Sequence, residues 1–560
     1  MVSAYLVDAL RDPTGELKEL FSNTTSAPQA ANFPLTVAAH FSRVFERSDA
    51  FRQIPPLDVA HPPESYADRS LVRFRAMVQD TSPSSEMYLA KYRDGTLGGW
   101  GIELESHRDE ASDEDIEYDN LRECTVLWGV NVPGESAWST IELDSPGSAS
   151  SSASTPHQPA RPHKGPISYK PHLGVKIKIY ENNTTDRFKT TDVATFVGII
   201  SSEPFSTELG DQIEVPTLHV LFTAPEQNSS IIRPYPASKP EVHPSVNSQP
   251  FDTLKVREQL IDWIAEEALN GDREAAEWIL LASIARVQSR HPPLIQPSLT
   301  LTQFPPPPIP SVTGSESSTA STALPPAYHP TLTHVLSEIL PLTETLPLSL
   351  PYLNTVPFSP ESKDEDLHAG VLQLPKGSVL LITEGGISEG KLQERGLMNV
   401  HALQELISSQ TLAYKFPFSQ FSFRTDNSCI VLSEGRKSAF LKTHLTVLFE
   451  PTESGSGATN LYKPAERIKM PEKGTLDAFR NLVVGAQRGK VQVKEATSEY
   501  IQQDFVSERQ RNKAITSDGL IRRMTIAKLY ALSMHLEEVT IDVWERAKAF
   551  DEKRIARLIS

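Results

Sequence analysis

The feature that most constrains this chain is the stretch at residues 369–392, AGVLQLPKGSVLLITEGGISEGKL. Its core is the apolar run VLLI at 379–382, which follows a turn signal at 375–377 and ends at Gly385 and Gly386. A run this short, without polar alternation, is typical of a strand buried on both faces in the parallel sheet of an α/β protein. The preceding AGVLQLP predicts a second short apolar segment. We therefore expect an α/β core built around this stretch.

The loop GGISEGKL after this strand departs by one residue from a phosphate-binding loop. Such a loop has glycine at both ends, a lysine for the phosphates and a Ser or Thr hydroxyl for magnesium. Gly385, Gly390 and Lys391 have that spacing, but Leu392 occupies the hydroxyl position. The near match GAQRGK at 485–490 has the wrong spacing. We interpret both as ordinary segments, the first with a solvent-facing lysine, and neither as a nucleotide site.

The residues that end the strand can be compared with the metal site of an ATPase. In ATPases of the AAA+ class an apolar strand ends in Asp-Glu, where the Asp holds magnesium and the Glu activates the attacking water. Here the strand ends in Thr383 and Glu384. A Thr hydroxyl is a much poorer ligand than a carboxylate for a hard divalent cation. The pattern predicts that the strand is retained while the metal site is lost.

Length and composition bound the architecture. At 560 residues the chain is too long for one core, so about two to four domains are expected. The 44 prolines against 27 glycines indicate linkers between them. No apolar run approaches the roughly 18 residues that span a bilayer, and the N-terminus lacks the basic region of a signal peptide. We expect a soluble protein without a membrane partner.

The charge and the cysteines exclude other classes. A net charge of −17 opposes non-specific binding to DNA or anionic membranes and favours basic or mixed-charge protein partners. The two cysteines, Cys124 and Cys429, are too few for a zinc site. We expect them to be reduced, buried thiols of an intracellular protein. No metal and no cofactor are predicted.

The N-terminal half shows the period of β-strands. In LVRFRAMVQD, residues 71–80, apolar side chains alternate with Arg73 and Arg75. Together with Lys91 and Arg93, these arginines would form either a basic face of the oligonucleotide-binding kind or an ordinary solvated polar face. The sequence leaves both interpretations open.

Other short strands follow at regular spacing. Residues 87–92 are the expected hairpin partner of 71–80, and 188–200 is either a strand pair or one bent strand broken at Gly198. Strands at this spacing suggest a small barrel or a sandwich. The remaining strands are predicted at 121–130, 175–180, 217–222, 411–416, 420–424 and 428–432.

From residue 253 the sequence takes the period of helices. Two helices are expected over 253–287 with a turn at Gly271 and Asp272, another over 400–408, and a last one over 539–558. The predicted core-facing side chains share helical spacing: Leu254, Leu260, Ile261, Ile264, Ala276, Ile279, Leu280, Ile284, Trp544, Ala547, Phe550 and Ile555.

Stretches of biased composition separate these regions. They are the acidic run 109–119, the Ser/Pro/His-rich segment 145–164, residues 234–250 and the Pro-rich segment 304–329. The last opens with FPPPPIP, which would recruit a proline-binding domain or act as a spacer, and we favour the spacer. No Ser-His-Asp order, metal spacing or nucleotide fingerprint emerges, so no catalytic, cofactor-binding or metal-binding residues are predicted.

Five segments in one order carry a family resemblance: LVRFRAMVQDT, VPGESAW, VKIKIYEN, AGVLQLPKGS and LSEGRKS. Together they resemble the mini-chromosome maintenance (MCM) complex-binding protein family, with matching order and spacing over essentially the whole chain. That family is similar to the MCM helicase subunits themselves. The resemblance therefore implies a C-terminal module like theirs.

The resemblance also shows where an MCM subunit carries its ATPase residues. AGVLQLPKGSVLLITE is similar to the strand that ends in the catalytic Asp-Glu, and residues 411–424 follow where the DNA-translocating hairpin lies. LSEGRKS, residues 432–438, lacks the Asn that senses the γ-phosphate, and Asp518 stands where the second sensor Arg is expected. Since phosphoryl transfer is mostly charge neutralisation and positioning, the resemblance implies a pseudo-ATPase.

The function implied by the resemblance is that of a non-catalytic binding partner of MCM helicase subunits in the nucleus. It would act in assembly or disassembly of the MCM complex during DNA replication and in sister-chromatid cohesion, with indirect association with chromatin and no small-molecule substrate. The alternatives are a divergent AAA+ ATPase using Lys391 and Glu384, or a DNA-binding replication factor using Arg73 and Arg75.

The expected fold class is α/β and β multidomain. It combines small β-barrel or OB-like strands near the N-terminus, a degenerate AAA+-like α/β module and a helical C-terminal bundle. The predicted divisions are 1–143 (helical plus β), 144–170 (flexible linker), 171–233 (OB-like β), 251–300 (helical), 301–330 (Pro-rich linker), 331–455 (AAA+-like core) and 460–560 (lid-like helices).

Overall fold

The structure is a computed structural model that describes residues 4–23, 32–102, 118–140, 159–167, 170–181, 187–206, 212–224, 252–291, 293–308, 329–364, 366–387, 389–452, 458–513 and 516–559. The predicted biased stretches lie wholly or mostly outside these residues: most of 109–119, 145–164 and 304–329, and all of 234–250. Among the described helices, none is long and apolar enough to cross a membrane.

In the described part of the chain, four α-helices precede the first strand: α1 (Ala4–Arg11), α2 (Pro13–Ser22), α3 (Phe33–Val44) and α4 (Ser48–Phe51). Pro13 opens α2, and the Asp12 carboxylate accepts a hydrogen bond of 2.8 Å from the Gly15 N–H, as expected of a helix cap. Leu17 and Phe41 are fully buried against the strands that follow. The helices therefore cover one side of the first sheet.

Six strands form that sheet: β1 (Leu71–Asp80), β2 (Glu86–Leu89), β3 (Leu121–Asn131), β4 (Gly174–Ile179), β5 (Val193–Ser206) and β6 (Gln212–Ala224). The sheet closes in the order β1-β5-β6-β4-β3, because β1 pairs with both β5 and β3. The pair β4 and β6 is parallel, and the other neighbours are antiparallel. The strand spacing suggested a small barrel or a sandwich, and a closed sheet of five strands is the barrel.

Two predictions about individual strands have different outcomes in the structure. The expectation that 87–92 pairs with 71–80 is wrong, since β2 pairs with β3 and both edges of β1 are already occupied. The stretch 188–200 contributes one long strand, β5, with a bulge between Val197 and Gly198. A side chain at Gly198 would collide with the carbonyl of His219, so this bulge requires glycine.

The predicted polar face of β1 is wrong in both of its forms. Arg73 is buried, and its Nε donates to the carbonyl of Ile54 at 2.8 Å. Arg75 is largely buried and forms an ion pair of 2.8 Å with Glu135. Because the chain before β1 covers Arg73 and Glu135 pairs with Arg75, both arginines are engaged within the chain.

The second part of the chain is a parallel sheet with a smaller sheet beside it. The parallel sheet has the order β10-β13-β16-β9-β17, and the smaller one the order β12-β11-β14-β15. The strands are β7 (Ser289–Arg290), β8 (Pro293–Leu294), β9 (Leu299–Thr302), β10 (Thr343–Pro347), β11 (Glu361–Lys363), β12 (Asp366–His368), β13 (Val379–Thr383), β14 (Thr411–Phe416), β15 (Ser419–Arg424), β16 (Ser428–Leu432) and β17 (Leu445–Leu448).

The run VLLI forms β13, which lies between β10 and β16 and is buried along its whole length. Its prediction as a strand of a parallel sheet is confirmed. The mixed α/β, multisheet character of the chain agrees with the expected fold class.

Helices cover both faces of the parallel sheet. They are α5 (Ala137–Thr140), α6 (Thr253–Ala268), α7 (Arg273–Ile284), α8 (Thr331–Ile339), α9 (Leu350–Thr355), α10 (Glu394–Ser409), α11 (Lys473–Arg488), α12 (Glu495–Arg511), α13 (Ser517–Ser533) and α14 (Ile541–Ile559). One apolar cluster contains residues of α6, α7, β9, β13, β16 and the last four helices. The segments predicted as separate regions from 251 onwards therefore share a core.

Most of the predicted inner positions of these helices are buried, with two exceptions. Leu254 is 55% exposed, so its assignment to the core is wrong: it lies in the first turn of α6, beyond the surface that the neighbouring helices cover. Ile555 is only half-buried, and Arg554 takes the inner position through hydrogen bonds to Asp551 and to the carbonyl of Thr446.

The two ends of α6 offer a matched test of the core. Ile264→Ala removes a fully buried side chain and is expected to lower the free energy of unfolding by about 2–5 kcal/mol. Leu254→Ala, in the same helix, is expected to change it by less than about 0.5 kcal/mol. Urea unfolding followed by circular dichroism measures both, and equal shifts would contradict the assigned burial.

Candidate functional site

The candidate site is the crevice at the carboxyl ends of the parallel strands. The strand order reverses at β9: the chain passes from β9 to the far edge at β10, returns through β13 and β16, and ends at β17 on the other side of β9. In open α/β sheets, ligands bind outside the carboxyl ends of the strands at such a reversal. The residues that follow β9, β13 and β16 therefore decide what this crevice does.

Glu384, the residue after β13, is held by the loop that follows β16. Its two carboxylate oxygens accept hydrogen bonds from the Ser438 hydroxyl at 2.5 Å and from the Ala439 N–H at 3.1 Å. Glu384 is buried, and its charge adds to burial in raising the pKa of Glu434 beside it. Both oxygens of this carboxylate are therefore used to hold the loop, and neither is left to accept a proton from a water molecule.

The residues after β9 fill the crevice. The N–H groups of Gln303 and Phe304 donate to carbonyls of the loop after β16, at Gly435 and Ser433, with distances of 3.0 and 2.9 Å. The Phe304 ring is buried against Phe449, with ring centroids 5.3 Å apart. The chain is thereby fixed across the carboxyl ends of β9 and β16 before it enters the run of prolines.

The prolines continue this contact across the sheet. The Tyr462 hydroxyl donates to the carbonyl of Pro305 at 2.8 Å. Pro307 lies over the end of β13, because a Cβ placed on Gly385 would be 2.8 Å from its Cδ. We name residues 303–308 the proline plug. Proline has no N–H, so four consecutive prolines offer none of the backbone donors with which a phosphate-binding loop surrounds its ligand.

The other predicted positions do not assemble into a nucleotide site. Lys391 is exposed, in agreement with its interpretation as a solvent-facing lysine. Gly390 lies against the side chain of Leu350. Asp518 is exposed in the first turn of α13. Gly485 of the second near match lies inside α11 against the His535 ring, which explains why glycine stands there.

A second cluster joins the closed sheet to the smaller sheet. Lys164 is buried, and its ammonium group lies 2.7 Å from Asp80 at the end of β1 and 2.6 Å from Asp366 in β12. Arg161 pairs with Asp366 at 2.5 Å and places its guanidinium 4.1 Å from the centre of the Phe205 ring. Residues 159–167, the described part of the predicted linker 144–170 together with residue 170, therefore pack between the two sheets.

His163, Asp366 and His368 lie close enough to suggest a metal site, with candidate ligand atoms within 4.8 Å of one another. Burial opposes ionisation of Asp366, but hydrogen bonds from His163 and the charges of Lys164 and Arg161 hold its pKa well below its usual range. A divalent cation would have to displace those two cations from the only carboxylate of the set. We interpret this cluster as a salt-bridge network that fixes the two sheets together.

Sequence reasoning missed both the plug and this cluster. The plug had a signal, because a run of prolines directly after a short apolar strand forbids a phosphate-binding loop at that point. Lys164, Asp80 and Asp366 had none, because they are far apart in the sequence and unremarkable in isolation.

Removal of Lys164 tests the buried cluster. Lys164→Met leaves the buried Asp80 carboxylate without its cation and is expected to destabilise the chain by about 3–5 kcal/mol. The control is Lys376→Met, which removes an exposed ion pair of 2.8 Å with Asp192 and is expected to cost at most about 1 kcal/mol. Thermal unfolding measures both, and a Lys164→Met midpoint equal to that of the control would contradict the role given to this lysine.

Comparison with known proteins adds a family-level finding. The chain matches the sequence model of the family described as mini-chromosome maintenance replisome factor over residues 41–164 and 139–558. Proteins named mini-chromosome maintenance complex-binding protein are similar to it along nearly their whole length. The relative from Arabidopsis thaliana is 23% identical over 98% of this chain and 99% of its own, and the human relative 23% over 98% of each. The Drosophila melanogaster relative is 25% identical over 91% of this chain and 93% of its own.

Proposed function

Since the chain belongs to the mini-chromosome maintenance replisome factor family, we propose that it binds the MCM complex and does so as a protein without catalytic activity. The similarity to relatives named as MCM complex-binding proteins extends over 91–98% of the chain in those compared above. A shared function over such a length fits a binding role for the assembled molecule rather than for one short motif.

The proline plug is the observation that supports the proposed absence of catalysis. In a nucleotide-binding α/β protein, the crevice after the first strand holds the phosphates. Here residues 303–308 fill that crevice, and the loop after β16 holds Glu384. Among the described residues of this crevice, the Glu384 carboxylate is engaged by Ser438 and Ala439, so it does not supply the charge neutralisation by magnesium on which phosphoryl transfer depends.

We further propose that the parallel sheet is an AAA+-like module that has become a pseudo-ATPase. Numbered along the chain from β9, its five strands lie in the order second, third, fourth, first, fifth, and helices pack on both of its faces. β13, with Thr383 and Glu384 at its end, then takes the position of the strand that carries Asp-Glu. The scaffold is retained and the site that it would carry is closed.

The closed sheet near the N-terminus is, on the same proposal, OB-like. Five strands close with a single parallel pair, β4 and β6, and α3 and α4 cover one side. Its β1 arginines are engaged within the chain, and the net charge is −17. We therefore assign this barrel a structural or protein-binding role, and no direct contact with DNA.

A mechanism that fits these features is surface mimicry. An AAA+-like module without a working site offers a neighbouring MCM subunit the surface of a subunit, occupying it until a true subunit takes its place. The chain would thereby act in assembly or disassembly of the MCM complex in the nucleus, support DNA replication and sister-chromatid cohesion, and associate with chromatin through its partners.

Binding is tested with the intact chain as bait. Affinity purification from dividing cells is expected to recover MCM subunits, with one member of the hexamer under-represented where this chain replaces it. The control is the same purification with an unrelated acidic protein of similar size. Recovery of no MCM protein, at a salt concentration that keeps hexamers intact, would overturn the proposal.

Closure of the crevice predicts that the chain does not bind nucleotide. Titration with ATP and magnesium, followed by calorimetry, is expected to give no saturable binding in the micromolar range, because the plug occupies the phosphate position. Lys391→Ala is expected to change nothing in this titration. Saturable binding that Lys391→Ala abolishes would instead establish the divergent ATPase.

A further inference from the structure

The hairpin of β14 and β15 presents three aromatic side chains to solvent. Phe418, in its two-residue turn, is fully exposed, and Phe421 and Phe423 of β15 are 56% and 38% exposed. Phe421 and Phe423 lie on one face, beside Phe416 and Tyr414 of β14. Aromatic side chains exposed this closely together are characteristic of protein-binding surfaces.

β15 is also a free edge of its sheet. The smaller sheet ends at β15, and every residue of this strand is exposed. In the part of the chain that the structure describes, β14 is its only strand partner. Free edges attract other strands, and proteins usually protect them with a lysine, a proline or a bulge inside the strand. Residues 419–423, SQFSF, contain none of these, and the one charged side chain of β15 is Arg424 at its end.

The register of the hairpin shows which backbone groups face outward. Phe416 and Ser419 flank the two-residue turn and form a hydrogen-bonded pair. Hydrogen-bonded and non-hydrogen-bonded pairs alternate along an antiparallel ladder, so every second pair counted from this one exchanges hydrogen bonds within the hairpin. The N–H and C=O groups of Gln420, Ser422 and Arg424 then point away from β14. An added strand would bind to these groups.

The hairpin carries two cations on an otherwise acidic chain, and a carboxylate oxygen of Glu361 lies 3.9 Å from one of them, Lys415. Residues 411–425 include Lys415 and Arg424 and no carboxylate. Arg290 lies at the base of the hairpin, with its guanidinium donating to the carbonyls of Gln410 and Thr425. Burial lowers its pKa, the charge of Asp426 opposes this shift, and the nearby Arg424 adds to it. The side chain of Arg424 is exposed. A binding partner that complements this edge carries carboxylates.

We propose that the free edge of β15 binds an extended, acidic segment of the MCM complex by strand addition. This inference rests on the proposed function and names the surface and the chemistry of the contact. The backbone of the partner pairs with Gln420, Ser422 and Arg424, its apolar side chains meet Phe421 and Phe423, and its carboxylates meet Arg424. The two-residue spacing of the phenylalanines fits an extended segment and not a helix.

A proline at the edge tests strand addition. Ser422→Pro removes an outward N–H that β14 does not use, so the hairpin is expected to remain while the added strand loses a hydrogen bond and its close approach. The affinity for purified MCM complex is expected to fall at least tenfold, and Ser422→Ala, which keeps the N–H, is expected to change it less than twofold. The urea unfolding midpoint of both variants must match that of the unmodified chain.

Two further variants keep the test independent of the proline. Phe418→Ser changes a fully exposed side chain, and Arg424→Glu reverses the charge at the base of the edge. Each is expected to weaken MCM binding at least fivefold, whereas Arg424→Gln weakens it less than Arg424→Glu. In the complex, the amides of Gln420, Ser422 and Arg424 are expected to exchange hydrogen at least tenfold more slowly.

The outcomes separate this inference from the function beneath it. If the unmodified chain does not retain the MCM complex, the proposed function fails and this contact with it. If the unmodified chain retains it and Ser422→Pro, Phe418→Ser and Arg424→Glu bind equally well with unchanged amide exchange, only the assignment to β15 is overturned.

Discussion

The structure depends on how its parallel sheet ends. Parallel strands deliver their chain ends to one edge, and the reversal at β9 leaves a crevice there that a protein must fill with a ligand or with itself. This chain fills it with its own residues. Phe304 and the prolines after it connect the loops that follow β13 and β16, so the carboxylate of Glu384, which catalysis would require to be available, stabilises the same arrangement.

The orientation of the closed sheet depends on a second buried contact. Lys164 lies between Asp80 of β1 and Asp366 of β12, and the side chains of Gln79 and Gln373 form a hydrogen bond of 3.3 Å close by. A buried cation is stable only when it is paired and hydrogen-bonded with good geometry, so these groups accept few alternative positions. The contact fixes how the two sheets present their outer surfaces to a partner.

Whether a feature can be predicted from the sequence depends on how far apart in the chain its interacting residues are. The strand at VLLI and the two helices around Gly271 depend on local periodicity, which a window of residues contains. The burial of Arg73, the exposure of Leu254 and the pairing of β2 with β3 depend on elements distant in the chain. The same reason hides Lys164, because its carboxylate partners are 84 and 202 positions away and carry no shared motif.

The function that we propose depends on the surfaces of the protein. The crevice is occupied, and the arginines of the closed sheet and the cations near Asp366 are engaged by the chain itself. The hairpin of β14 and β15 differs, since its outer strand has exposed phenylalanines, outward backbone groups and an exposed arginine. A stable protein retains such an edge at the risk of aggregation, and that risk is removed when a partner strand covers it. The filled crevice and the open strand edge both fit the proposed role of binding other proteins.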